Sequence, residues 1–122
     1  MPSQFEAVAG KSLGYVSGNG GAVTQGTSKS TGVTLSKPCG QITTHDASLT
    51  GGNEVSFVVT NTFVASTDVV AMAIQSGATT GTYVASVSAV ADGSFTCTLS
   101  NLGTTAGEAL VINFVVLKSA AA

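Results

Sequence analysis

The residues able to do chemistry are few, and their spacing assembles none of the familiar sites. The 122-residue chain has one histidine, His45, directly followed by Asp46. Adjacent residues of a strand point to opposite faces, so these two do not form an oriented His–Asp pair, and no serine stands in a Gly-x-Ser-x-Gly elbow. His45 is expected at a turn or strand end on the surface. Zinc needs clustered Cys and His, and Cys39, Cys97 and His45 show neither Cys-x-x-Cys nor His-x-x-x-His spacing. The acids Glu6, Asp46, Glu54, Asp68, Asp92 and Glu108 stand singly, with no Asp-x-Asp run for calcium and no general acid–base pair at a readable spacing. Most fall at strand starts or turns, where a carboxylate accepts hydrogen bonds from nearby backbone N–H groups. Gly18-Asn19-Gly20-Gly21 is followed by neither Lys-Ser/Thr nor a helix, so its glycines read as chain flexibility and not as a phosphate cradle. The expectation is a protein that is not an enzyme, with no catalytic residue, no metal ligand and no cofactor.

The charge balance excludes further classes. Four lysines, no arginine and six acids give a formal net charge of −2, and only 8% of residues are charged, against about 25% in an average soluble domain. Displacing phosphate counterions takes clustered cations; Lys11, Lys29, Lys37 and Lys118 are scattered, so nucleic acid is not an expected partner. The longest apolar run, residues 109–117, is broken by Asn113 and falls short of the roughly 20 residues of a membrane-spanning helix, so no membrane partner is expected. Residues 1–10 lack a basic n-region and an apolar h-region, which predicts synthesis in the cytosol without a signal peptide. Two cysteines are too few for a disulfide framework and are expected as free thiols.

The elements that would position any site are strands. Val and Thr favour pleated surfaces, and Gly and Ser–Gly clusters punctuate the chain. Val55, Phe57 and Val59 alternate with Glu54, Ser56 and Val58. Asp68–Gln75 is apolar on both faces, as in a covered strand. Thr82–Val90 alternates again, Asp92-Gly93 signals a hairpin, and Phe95, Cys97 and Leu99 alternate with Thr96, Thr98 and Ser100. In Glu108–Lys118, Leu110, Ile112, Phe114 and Val116 share a face. Earlier, Val33 and Leu35 begin a strand that stops at Pro38, and Ile42 marks another. The pattern predicts a single all-β domain, an antiparallel β-sandwich or jelly roll. Residues 32–122 form its core, preceded by a Gly/Ser/Thr-rich segment, residues 1–31, that is either an extended arm or edge strands.

So few charges leave little electrostatic protection against association, and long edge strands without Lys or Pro carry the same hazard. Other subunits are therefore expected to cover part of the surface. The strands over 68–75 and 108–118 hold more apolar positions than one sandwich face buries, which makes Val70, Met72 and Ile74, with Val111, Val115 and Leu117, the candidate interface of a homodimer or homotrimer. On this reading, Asp at Met72 or Val115 weakens association and leaves a folded monomer.

Residues 14–35 (GYVSGNGGAVTQGTSKSTGVTL), 36–43 (SKPCGQIT), 55–61 (VSFVVTN) and 109–118 (ALVINFVVLK) together resemble a small domain common in tailed bacteriophages and prophages. The similarity spans about residues 14–118, and its motifs are structural, not chemical. It implies a virion protein of the head decoration, or cement, family, of jelly-roll type. Such a protein is made in the bacterial cytoplasm and clamps the major capsid protein from outside the shell. Related domains also end phage fibres, which leaves a receptor- or glycan-binding module as the alternative.

Overall fold

The computed structural model describes residues 14–120. Eight strands follow one another, β1 Gly20–Thr24, β2 Val33–Thr34, β3 Cys39–Thr43, β4 Glu54–Thr60, β5 Val69–Ser76, β6 Tyr83–Ala91, β7 Ser94–Asn101 and β8 Val111–Leu117. No helix occurs among the described residues. Two four-stranded sheets form, sheet I in the order β1-β3-β8-β5 and sheet II in the order β2-β4-β7-β6. The all-β sandwich expected from the alternation is therefore what the chain adopts.

Both sheets are mixed, not purely antiparallel. The central ladders β3–β8, β5–β8, β4–β7 and β6–β7 are antiparallel, but β1 pairs β3 and β2 pairs β4 in parallel. The connections explain this. From β1 to β4 each link crosses to the opposite sheet, and two crossings restore the original direction. The two parallel edge pairings depart from the all-antiparallel strand order of an eight-stranded jelly roll. The β6–β7 hairpin turns at Asp92-Gly93, where Gly93 takes a φ of 83°, the left-handed conformation that glycine adopts without a Cβ clash.

The core lies between the sheets and follows the period of two. Sheet II contributes Phe57, Val59, Phe95, Cys97 and Leu99, and sheet I contributes Ile42, Val70, Ile112, Phe114 and Val116, all buried. Phe95 and Phe114 meet across the interface with ring centroids 5.4 Å apart in a tilted arrangement, the geometry in which one ring's edge faces the other's π-cloud. Ile112 and Leu99 are fully buried, and truncating residues of this kind to Ala costs about 2–5 kcal/mol.

Buried polar side chains lock the loops onto this core. Asn101, at the end of β7, donates to the carbonyls of Leu49 (2.8 Å) and Thr104 (2.9 Å) and accepts from the Gly103 N–H. Asn61, at the end of β4, donates to the Lys37 carbonyl at 2.7 Å and accepts from the Phe63 N–H. Before β2, Gln25 and Lys29 are buried, and β1 is an edge strand of sheet I. The rest of the expected N-terminal arm, residues 1–13, lies outside the described residues.

At the foot of β5, Asp68 meets Lys118 at 2.6 Å, its side chain 2% exposed against 60% for the lysine. Burial alone would push this carboxyl up. The Lys118 ammonium and the Ala65 and Ser119 backbone N–H groups outweigh it and hold the group below its ordinary value. A depressed folded-state value contributes stability that is present above the unfolded value of about 3.9 and is lost as pH falls through the folded one. Asp68→Asn is accordingly expected to lower stability at neutral pH by about 1 kcal/mol, discounted for the exposed lysine. It should also flatten the loss of thermal midpoint below about pH 4; a mutant midpoint that tracks the wild type through that window contradicts the assignment.

Candidate functional site

His45 caps a turn. Its Nδ1 accepts the Ala47 N–H at 2.9 Å, which engages that nitrogen's lone pair with the backbone, and Asp46 Oδ1 lies 3.5 Å away. An oriented His–Asp pair requires a donor there, and the geometry supplies none. The His45 backbone N–H donates to Gln25 Oε1 at 3.0 Å, while Gln25 Nε2 donates to the carbonyls of Lys29 and Thr31. The Lys29 ammonium donates to the carbonyls of His45 and Glu108 (2.6 Å for the latter). Burial lowers the Lys29 pKa, opposed by the nearby Asp46 and Glu108 charges. The Gln25 amide and the Lys29 ammonium tie residues 25–31 to one another and to the loops before β4 and β8, a structural latch. At the same end, burial and then the neighbouring Glu108 raise the Tyr83 pKa.

Among the described residues, no three His, Cys, Asp or Glu side chains gather where they could hold a metal ion. A depression of about 510 Å³ at the ends of β4 and β7 is lined by Gly52, Asn53, Glu54, Ser100, Asn101 and Leu102; Glu54 is its single titratable side chain.

What distinguishes the molecule is the chemistry of its two outer faces. Register sorts the residues. On sheet I, Gly20, Cys39, Val115 and Ala71 share one row; Ala22, Gln41, Asn113 and Ala73 share the next; Val69 stands opposite Leu117. Thr24, Thr43 and Val111 complete the face. None of these residues is charged. Val69 is 52% exposed, and a shallow depression of about 260 Å³ lies over Ala71, Ala73, Asn113 and Val115. Sheet II presents mainly hydroxyls, with the exposed Val58 and Val84 and the charged Glu54 on the same face. Ser56 Oγ, Thr98 Oγ1 and Ser88 Oγ form a chain of 2.8 Å hydrogen bonds, flanked by Thr60, Ser94, Thr96, Ser86 and Ser100 on the same face.

This sorting divides the expected interface in two. Val111, Val115 and Leu117 lie on the outer face of sheet I. Val70, Met72 and Ile74 do not, contrary to their expected place on an exposed surface. They stand opposite Val116, Phe114 and Ile112 and point into the sandwich, where Val70 is buried and Met72 and Ile74 pack against the core. Met72 Sδ lies 3.6 Å from the buried Cys97 Sγ. A strand apolar on both faces does not reveal which face is inward. The outward members of β5 are the small residues Val69, Ala71 and Ala73.

Residue types alone did not bring out the polar centre of this face. Gln41, on β3, donates to Gln75 Oε1 at 2.5 Å. These residues flank β8, whose Asn113 Oδ1 is buried without a hydrogen-bond partner. Cys39 is half-buried on this face, whereas Cys97 is fully buried, with burial pushing its thiol up to about 12; both are free.

The chain matches no family model, no curated protein and no solved structure.

Two outcomes follow from the sorting. Met72→Asp places a charge in the core and should unfold the protein or destabilise it by more than about 3 kcal/mol, while Val115→Asp should keep a wild-type circular dichroism spectrum and a midpoint within a few degrees. The reverse order would show that the strand register is wrong. A thiol reagent should label Cys39 in the native protein and Cys97 only after unfolding; native labelling of both would contradict the burial of Cys97.

Proposed function

We propose that this protein is a structural virion protein of a tailed bacteriophage that binds and stabilises the outside of the capsid. It is made in the bacterial cytoplasm and takes the major capsid protein as its partner, with copies grouped as dimers or trimers on the symmetry axes of the shell. The observation that carries the reading is the outer face of sheet I, four strands wide and free of charge. The resemblance of residues 14–118 to a small tailed-phage virion domain, one that occurs in head decoration proteins, suggests the partner.

The size of the face decides what kind of contact it makes. Four strands about 4.8 Å apart and about seven residues long give roughly 400 Å² of flat surface, about half of what each partner gives a standard stable interface. One such contact is weak. Many copies on a rigid lattice hold through multivalency, and a protein that binds only the mature shell stabilises that shell by mass action.

The fibre or glycan-binding alternative is favoured by a different observation. Tyr15 and Phe63, the two aromatic side chains among the exposed large hydrophobics, are 36% and 48% exposed and line one groove. A glycan array tests it.

The capsid reading is tested by co-sedimentation with expanded capsids that lack the protein. Wild type should co-sediment and raise the temperature at which the shells open. Val115→Asp, folded but charged on the face, should lose binding at least tenfold. Absence of wild-type binding sinks the proposal.

A further inference from the structure

Both exposed lysines among the described residues, Lys37 and Lys118, stand at the rim of one groove of about 350 Å³, whose walls include Tyr15, Pro38, Phe63 and Val116. We propose that this groove is the docking site of the chain's own N-terminal segment, with the Phe5 ring in the groove and the Glu6 carboxylate on Lys37.

The groove is chemically specific. Its walls are mostly apolar. The Tyr15 hydroxyl donates to the Val116 carbonyl, which fixes that ring as a wall, and Phe63 stands 48% exposed. The two cations are not equivalent. Lys118 is committed, donating to the Phe63 carbonyl and to Asp68, each at 2.6 Å. Lys37 is exposed and has no carboxylate partner among the described residues. The site therefore asks for an apolar ring with one adjacent negative charge.

Residues 1–13 carry one aromatic, Phe5, and one acid, Glu6, side by side. The described chain begins at Gly14, next to the groove residue Tyr15. The nine steps along the chain from Phe5 to Gly14 reach at most about 30 Å when extended, ample to double back onto a groove that starts at their own anchor. Closing so short a loop costs little more than closing a tighter one, and the tether raises the effective concentration to about the millimolar range. At about the lower end of small-ligand sites, which run from roughly 300 to 1,000 Å³, the groove has room for one or two side chains. The pairing does not depend on the capsid reading and is measured without a shell.

The chain has no tryptophan, so Phe5→Trp in the 122-residue chain introduces a single indole, excited at the red edge where the two tyrosines do not absorb. Its emission should be blue-shifted, and its acrylamide quenching several-fold weaker, than in the free peptide of residues 1–13 carrying the same tryptophan, at every protein concentration. Adding Phe63→Ala at that exposed position should return both to the peptide values. Glu6→Lys should do so in part, and Glu6→Lys with Lys37→Glu should restore the blue shift, a rescue that misfolding cannot mimic. Peptide-like emission from the full chain overturns the proposal, as does a blue shift that survives Phe63→Ala. A blue shift that grows with protein concentration also overturns it, because the segment then sits on a second copy.

Discussion

Two sheets share one dry interior, and each strand can give it only every second side chain. That parity sorts the described strands into three environments. The interior takes Ile42, Ile112, Phe114 and Val116 from one side and Phe57, Phe95, Cys97 and Leu99 from the other, stacked around the Phe95–Phe114 contact. The positions left over become the two outer faces. A slip of one residue in β8 would move Ile112, Phe114 and Val116 into water and Asn113 into the core, so the register of the whole sandwich is pinned by the alternation in that central strand.

The outer faces inherit their character from the same constraint. Where sheet I turns outward it offers Ala, Val, Leu, Gly, Thr, Cys and a few amides without a charge, and where sheet II does so it offers mainly Ser and Thr, with Val58, Val84 and Glu54 among them. The titratable groups with shifted pKa values are engaged in loop closure or sealed in the core, as Lys29, Asp68 and Cys97 show. On the proposed capsid function, a flat, uncharged face of modest area would be seated many times over on a repetitive partner.

Much of the sandwich was legible in the sequence because strands with one wet and one dry face announce themselves. β4, β7 and β8 and the Asp92-Gly93 hairpin follow directly from alternation and turn chemistry. β5 shows where alternation stops being informative. With Val, Ala, Met and Ile on successive positions, either parity is apolar, and only pairing with β8 reveals that Met72 faces inward and Ala71 outward. The parallel pairings of β1 and β2 were hidden because direction depends on how the connections cross between sheets, which no local pattern encodes. Lys29 was hidden too. A lone lysine between serines reads as surface, and its burial comes from two carbonyls contributed by distant loops.

The claim that the outer face of sheet I is the functional surface is tested most directly by amide hydrogen exchange of the protein free and bound to expanded capsids. The account predicts slowed exchange confined to β1, β3, β8 and β5, with the hydroxyl face on β4, β7 and β6 unchanged. Protection on β4, β7 and β6, with sheet I exchanging as in the free protein, would contradict it.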